Sequence, residues 1–314
     1  AFSSVQMMKN LNFWKKIERT AQPILNIKVS HGTIERGPAS ATLQFNNADI
    51  EESPMAQMLE DRFLRQCLIQ EIKENNLIDL IEQSKIIEIN YTNKQRQLIL
   101  DNSSKLKTSL IVASDGINSP TAKAFGIKKT GWKYKQRGLV CAVNHEYSSN
   151  NTAYQYFLPE GPLAILPIKN NTASIVWTES IQNAATISEM NGSEYLSVLQ
   201  NRFGDFLGEL KLTGKRLSFP LKLSISEKYV SDKFAVIADA AHGYHPLAGQ
   251  GLNAGMRDIA ALVDVISRSR QRGEDFSSIN VLNRYQEWRR FDNQTLGFAT
   301  DNLNKIFSSY DPLF

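Results

Sequence analysis

Phe234-Ala235-Val236-Ile237-Ala238-Asp239-Ala240-Ala241-His242, running through Pro246 to Gly249-Gln250-Gly251-Leu252-Asn253 and on to Arg257-Asp258, is the stretch whose reading decides the fold. Phe234 to Ala238 is a short apolar run with no room for a solvated face, which predicts a buried strand with the carboxylate of Asp239 at its tip. Beyond the turn, Leu252, Met256, Ile259, Ala260, Leu262, Val263 and Ile266 recur at helical spacing and predict an amphipathic helix opening near Leu252. Gly249 and Gly251 let the backbone come close to a ligand, and a helix start presents N–H groups that the helix itself leaves unbonded. Asp239 would repel a phosphate. The corner therefore suits a ligand that offers hydroxyls to a carboxylate and an electron-poor ring to amide donors.

A flavin with its ribityl chain is such a ligand. The segment resembles the second FAD-contacting motif of the class A flavoprotein aromatic hydroxylases. More narrowly, it is similar to the branch that hydroxylates polyprenylated phenols in ubiquinone biosynthesis. The resemblance implies that Asp239 binds the ribityl hydroxyls and that Gly251, Leu252 and Asn253 face the flavin pyrimidine edge. Gly249 and Gln250 belong to the same cofactor-binding turn, and Pro246 with Leu247-Ala248-Gly249 lines the flavin face. No catalytic acid or base stands out. The family has Gly before the Asp; this chain has Ala238.

Leu110-Ile111-Val112-Ala113-Ser114 is another buried-strand run, followed by Asp115-Gly116-Ile117-Asn118-Ser119. Alone, an Asp-Gly after a strand is a turn signal. In this order along the chain it resembles the family's Asp-Gly motif, which places Asp115 near the FAD pyrophosphate and the nicotinamide passage. Ala113 replaces a family Gly and Ala122 a family Arg, with Lys123 next door. A helix is predicted over Glu60–Glu74, with Phe63, Leu64, Cys67, Leu68 and Ile72 on one face. The resemblance sets a polar residue at its start against the flavin side of FAD. Asp61 falls there with Arg62 beside it, and an ordinary surface charge pair is the competing reading.

The 314 residues are enough for a large core and two domains, and 42% apolar with 22% charged residues is ordinary for a globular chain. A net charge of +4 is too small to argue for a nucleic-acid partner. Two cysteines, Cys67 and Cys141, are no disulfide framework and fit a reducing compartment. No apolar run approaches the ~20 residues needed to span a bilayer, and no signal peptide is visible. His242 and His245 lack a surrounding ligand set and read as turn residues, so no metal is expected.

Proteins with these motifs open with a strand, a G-x-G-x-x-G turn and a helix holding the pyrophosphate. This sequence has none, and begins inside a helical pattern of Phe2, Val5, Met8, Leu11 and Trp14. The expectation is a fragment short of that unit, about 30 residues or more. Its end at Asp311-Pro312-Leu313-Phe314 also looks early for the family. Strand-like Ile24–Val29 and Thr42–Phe45 flank a polar Gly37-Pro38, and Ile86–Tyr91 with Arg96–Leu100 read as a hairpin around Thr92-Asn93. From about residue 130 to 225 the texture is β, interrupted by a helix over Ser193–Phe203: strands are predicted at Gly138–His145, Ala153–Leu158, Leu163–Pro167, Ala173–Thr178 and Arg216–Leu223. A long helix follows from Ile279 to about Ile306, with Leu282, Tyr285, Trp288 and Phe291 at helical spacing; Trp288 is expected packed beside two solvated arginines.

The fold class is therefore mixed α/β: a Rossmann-like FAD-binding domain of the aromatic-hydroxylase type without its first βαβ unit, a β-sheet substrate domain and a C-terminal helix. The expected FAD-binding parts are residues 1–20, 58–128 and 226–275; the substrate sheet is 21–57 and 129–225; the helical segment is 276–314. The resemblance implies an FAD-dependent monooxygenase that uses NAD(P)H and dioxygen, through a flavin hydroperoxide, to hydroxylate a polyprenylated phenol. It also implies a cytoplasmic protein that works peripherally at the inner membrane face, with assembly among other ubiquinone-biosynthesis proteins left open. The competing readings are a flavoprotein oxidoreductase that does not insert oxygen and a non-catalytic lipid-binding or assembly subunit.

Overall fold

The computed structural model describes residues 1–33, 37–49, 54–92 and 95–307. The chain forms two compact units, the first from Ala1–Gln70, Lys133–Leu221 and the stretch from Asn302, the second from Glu71–Trp132 and Lys222–Asp301. Mixed α/β architecture is what the sequence predicts, and it is what forms.

The sheet of the first unit has its strands in the order Leu210–Ser226, Lys129–His145, Thr172–Ser180, Gly161–Ile168, Thr152–Leu158, Asn26–Thr33, Gly37–Asn46, the ends Lys129–Trp132 and Lys222–Ser226 belonging to the second unit. Thr152–Leu158 and Asn26–Thr33 run parallel, while Gly161–Ile168 is antiparallel to both its neighbours. Alternation sets the core face: Cys141 stands opposite Ile175, and Leu163 opposite Trp177. These side chains are covered by Ala184 and Ile187 of the helix Ile181–Glu189 and by Tyr195 and Leu199 of Gly192–Phe203. The second helix starts at a capping box between Asn191 and Glu194. Glu179 is buried beneath them and accepts from Trp177 Nε1 at 3.1 Å and Asn183 Nδ2 at 3.2 Å, with Arg202 Nη2 at 3.0 Å. Burial pushes its carboxyl up despite the Arg202 charge.

Three expectations change here. Gly37-Pro38 is not a loop: Gly37 stands opposite Thr33 and Pro38 opposite Gly32. Proline is tolerated because Gly37–Asn46 is the last strand in the order and Pro38 lies beside the register shift between Ser30 and Gly32. The helix Ile181–Glu189 is unforeseen, since only Ala184 and Ile187 of it are buried and the apolar signal is thin. At the N-terminal end, the helix Phe2–Asn10 is interrupted at Asn12, whose φ is +56°. Leu11 is therefore exposed, and Trp14 is buried from a separate short helix, Trp14–Ile17.

In the second unit, Ile111–Ala113 pairs in parallel with Phe234–Val236, which pairs antiparallel with Val230–Ser231. A separate meander joins Ile86–Thr92, Gln95–Leu100 and Lys105–Thr108. Its expected turn at Asn93, like the terminal Asp311–Phe314, lies outside the described residues. Phe234 and Val236 pack with Ala261, Leu262 and Val265 of the helix Gln250–Gln271 and with Leu282 and Tyr285 of the helix Ile279–Phe307. The Tyr285 hydroxyl donates to the carbonyl of Val236 at 2.8 Å. Both helices bury only part of their predicted apolar spacing, Ile259, Leu262 and Ile266 in one and Leu282 and Tyr285 in the other meeting the core. Leu252 and Val263 are exposed, and the buried face is Ala254, Gly255, Asp258, Ala261, Leu262, Val265 and Ser269. Trp288 and Phe291 are exposed and Arg289 is only 3% exposed, so the packed Trp beside two solvated arginines is overturned at Trp288 and Arg289, while Arg290 is solvated as expected. Buried charge pairing, which periodicity does not register, sets both departures.

Candidate flavin site

The strand Phe234–Val236 stops short of Asp239, and Ala238–Ala240 closes a 3₁₀ turn. Ala238 takes a φ of +52°, a left-handed conformation that suits glycine and costs any residue with a Cβ. The family's usual Gly before the Asp thus has a conformational reason, and this chain bears the Cβ there. Asp258 holds the corner in place. Its Oδ2 accepts from the Ala238 N–H at 2.8 Å and lies 2.6 Å from His242 Nε2. Its Oδ1 accepts from Arg289 Nε at 2.8 Å and Asn293 Nδ2 at 3.2 Å. Burial raises the Asp258 carboxyl, but the hydrogen bonds from His242, Arg289 and the Ala238 N–H outweigh it and hold the group below the ordinary aspartate range. Asp239 itself is exposed on the outer side of this braced turn.

The turn Ala238–Ala240 packs on the helix Gln250–Gln271. That helix begins directly after Gly249, whose φ of +58° makes the αL corner that a side chain would resist. A Cβ placed on Gly249 or Gly251 would meet nothing within 4 Å, so the backbone here is open to a close-lying ring. Helix geometry leaves the first-turn N–H groups of Gly251 and Leu252 without a carbonyl inside the helix. Asn253 Nδ2 donates back to the Gly249 carbonyl at 3.2 Å and fixes the turn. Pro246 precedes the 3₁₀ turn Leu247–Gly249, whose last N–H bonds to the Pro246 carbonyl at 3.1 Å. A carboxylate beside open amides is a donor and acceptor set that fits a flavin and its ribityl chain.

Asp115 sits just past the parallel strand Ile111–Ala113. It is turned inward on its own loop: Oδ1 accepts from the Ser119 hydroxyl and Oδ2 from the Thr121 N–H at 3.0 Å. Ser119 in turn caps the helix Pro120–Ala124 through the Ala122 N–H at 2.8 Å. Partial burial raises the Asp115 carboxyl, yet the Ser119 and Thr121 bonds prevail and lower it. Asp115 therefore shapes the loop. Asp61 and Arg62 open the helix Asp61–Glu74 in the other unit, where exposed Asp61 pairs with exposed Arg65 at 2.8 Å and exposed Arg62 with half-buried Glu60 at 2.9 Å.

Sequence reasoning passed over His242, Asp258, Arg289 and Asn293. His242 is no mere turn residue: it is fully buried on Asp258, and its ring stacks on Tyr244 with centroids 4.9 Å apart. The available signal was Asp258 itself, a carboxylate interrupting an otherwise small and apolar helix face. Among the described residues no cluster of metal-ligating side chains forms.

The family described as FAD binding domain matches residues 4–290. Ubiquinone hydroxylase of Rhodospirillum rubrum is 31% identical over 310 residues, covering 98% of this chain and 71% of its own length. The 3-demethoxyubiquinol 3-hydroxylase of Escherichia coli is 29% identical over 311 residues, 99% of this chain and 78% of that protein. The crystal structure of PqsL from Pseudomonas aeruginosa superposes with a TM-score of 0.84 at 19% identity, over 98% of this chain and 84% of that one, and shares the fold. The glycine-bearing helix start, the braced Asp239 corner and these relatives agree: the chain belongs to the FAD-binding family of class A flavin monooxygenases, among the ubiquinone hydroxylases.

Proposed function

We propose that the protein hydroxylates the aromatic ring of a polyprenylated phenol in ubiquinone biosynthesis, using FAD, NADH or NADPH, and dioxygen. The observation that carries this reading is the exposed Asp239 on a turn packed against the helix Gln250–Gln271, whose glycine-bearing start has open space at Gly249 and Gly251. Bound FAD supplies the activation of dioxygen. Asp239 accepts from the ribityl hydroxyls, the N–H groups of Gly251 and Leu252 donate to the carbonyl-bearing edge of the ring, and Asn253 faces the same edge. Gln250 completes that turn, Pro246 and Gly249 border the ring face, and Asp115 holds the loop that the pyrophosphate approaches. The chain's task is to orient the ring and keep water away from the reacting atoms.

A prenyl tail keeps the substrate in a membrane, so the protein works from the cytoplasm at the membrane surface, a setting that also suits assembly with other ubiquinone-biosynthesis enzymes. Among the described residues no helix is long and apolar enough to cross a bilayer. The test supplies FAD, NADH, a short-chain prenylphenol and ¹⁸O₂, and expects one labelled oxygen in the product. Turnover without label would establish an oxidoreductase that inserts no oxygen. Protein that takes up no FAD on titration would establish the non-catalytic, lipid-binding or assembly role instead.

A further inference from the structure

Lys129 joins the loops that follow the two motif carboxylates. Its Nζ donates to the Ile117 carbonyl at 2.9 Å and to the Asp239 carbonyl at 3.3 Å, groups 12 and 110 residues away in sequence. The first acceptor lies two residues after Asp115 and the second belongs to Asp239 itself. The brace is set by the backbone. At Gly131, whose φ is +144°, a Cβ would lie 2.1 Å from the Leu223 carbonyl oxygen, so only glycine admits this approach of the two strands. The close approach brings Lys222 in from the neighbouring strand, and its Nζ donates to Asn118 Oδ1 at 2.8 Å on the same Asp115 loop. Lys129 is half-buried. Desolvation and then the Lys222 charge lower its ammonium pKa, against the attraction of Asp115 and Asp239.

We infer that Lys129 is a positioning residue for the flavin: it fixes the separation of the Asp115 and Asp239 loops so that one cofactor can meet both. Lys222 is the internal contrast, because it holds the Asp115 loop alone. The inference rests on the assignment of these loops to FAD, and the experiment separates the two. Amide hydrogen exchange on the cofactor-free protein is measured for Lys129→Met, Lys129→Arg and Lys222→Met, and FAD affinity is measured by titration of the same proteins.

Lys129→Met is expected to speed exchange at Gly116–Ser119 and at Ala240–His242 together, and to weaken FAD about tenfold, as the loss of charge-assisted hydrogen bonds would. Lys129→Arg restores most of both. Lys222→Met loosens Gly116–Ser119 and leaves Ala240–His242 as it was. Unchanged exchange in Lys129→Met, or a change confined to one loop, overturns the brace whether or not FAD binds. Coupled loosening in Lys129→Met with wild-type FAD affinity overturns the positioning role. Wild-type protein that takes up no FAD would instead sink the functional reading, and with it the flavin part of this inference, while exchange still decides the brace.

Discussion

The backbone N–H of Ala238 donates to the buried carboxylate of Asp258 at 2.8 Å, across 20 residues of sequence, at the one corner where a side chain occupies the left-handed region beside Asp239. The corner is strained by its Cβ and restrained by its hydrogen bond. The same Cβ also limits its neighbour, because a Cβ on Gly255 would lie 2.9 Å from it.

Ala238→Gly should therefore stabilise the protein, by about 0.5–1 kcal/mol, as relief of the left-handed backbone exceeds the entropic penalty of glycine. Gly255→Ala alone should cost about 1–3 kcal/mol through overpacking. In the Ala238→Gly background that cost should largely vanish, since alanine is the better helix former once the opposing methyl is gone. Denaturant unfolding of the single and double variants measures the coupling; additive effects would show that the two positions do not touch.

Asp258→Asn should destabilise by about 3 kcal/mol at neutral pH, because it withdraws the ionised partner of buried Arg289 and His242. The pH dependence follows from the lowered Asp258 pKa. A carboxylate with a depressed folded-state pKa contributes stability that is present above its ordinary 3.8 and is lost as pH falls through the lower folded value. The gap between wild type and Asp258→Asn should thus be widest above 3.8 and close below it. A gap independent of pH would mean that the charge is not what holds the corner.

Trp288 and Arg289 are neighbours with opposite fates. Trp288→Ala should change stability by no more than about 0.5 kcal/mol, since the residue is 54% exposed. Arg289→Met should cost about 3 kcal/mol, because Asp258 loses a buried cationic partner at 2.8 Å and Asp292, 2.6 Å from Arg289, is left with Arg257. Thermal melts of the pair decide it.

Asp239 and Asp115 should separate by readout. Asp239→Asn should leave the melting temperature of the cofactor-free protein unchanged, because Asp239 is exposed, while weakening FAD at least tenfold if its carboxylate meets the ribityl hydroxyls as proposed. Asp115→Asn should instead cost about 1 kcal/mol of stability, because its carboxylate braces Ser119 and Thr121 at the start of a helix. Equal FAD affinity in wild type and Asp239→Asn would remove the carboxylate from the site.

Local pattern alone determined the strand at Phe234, the glycine-bearing turn, the helix from Gln250 and the long helix from Ile279, because apolar spacing and glycine placement are properties of neighbouring residues. Tertiary structure decided the rest. The buried face of the Gln250–Gln271 helix turns toward Asp258 because Arg289 and Asn293, 31 and 35 residues further on, supply the partners that make a buried carboxylate tolerable. Apolar periodicity carries no record of a charge whose partner lies on another helix. For the same reason Trp288 was expected inside and Arg289 outside: the electrostatic cost of burying a guanidinium is met only once the fold has brought Asp258 to it.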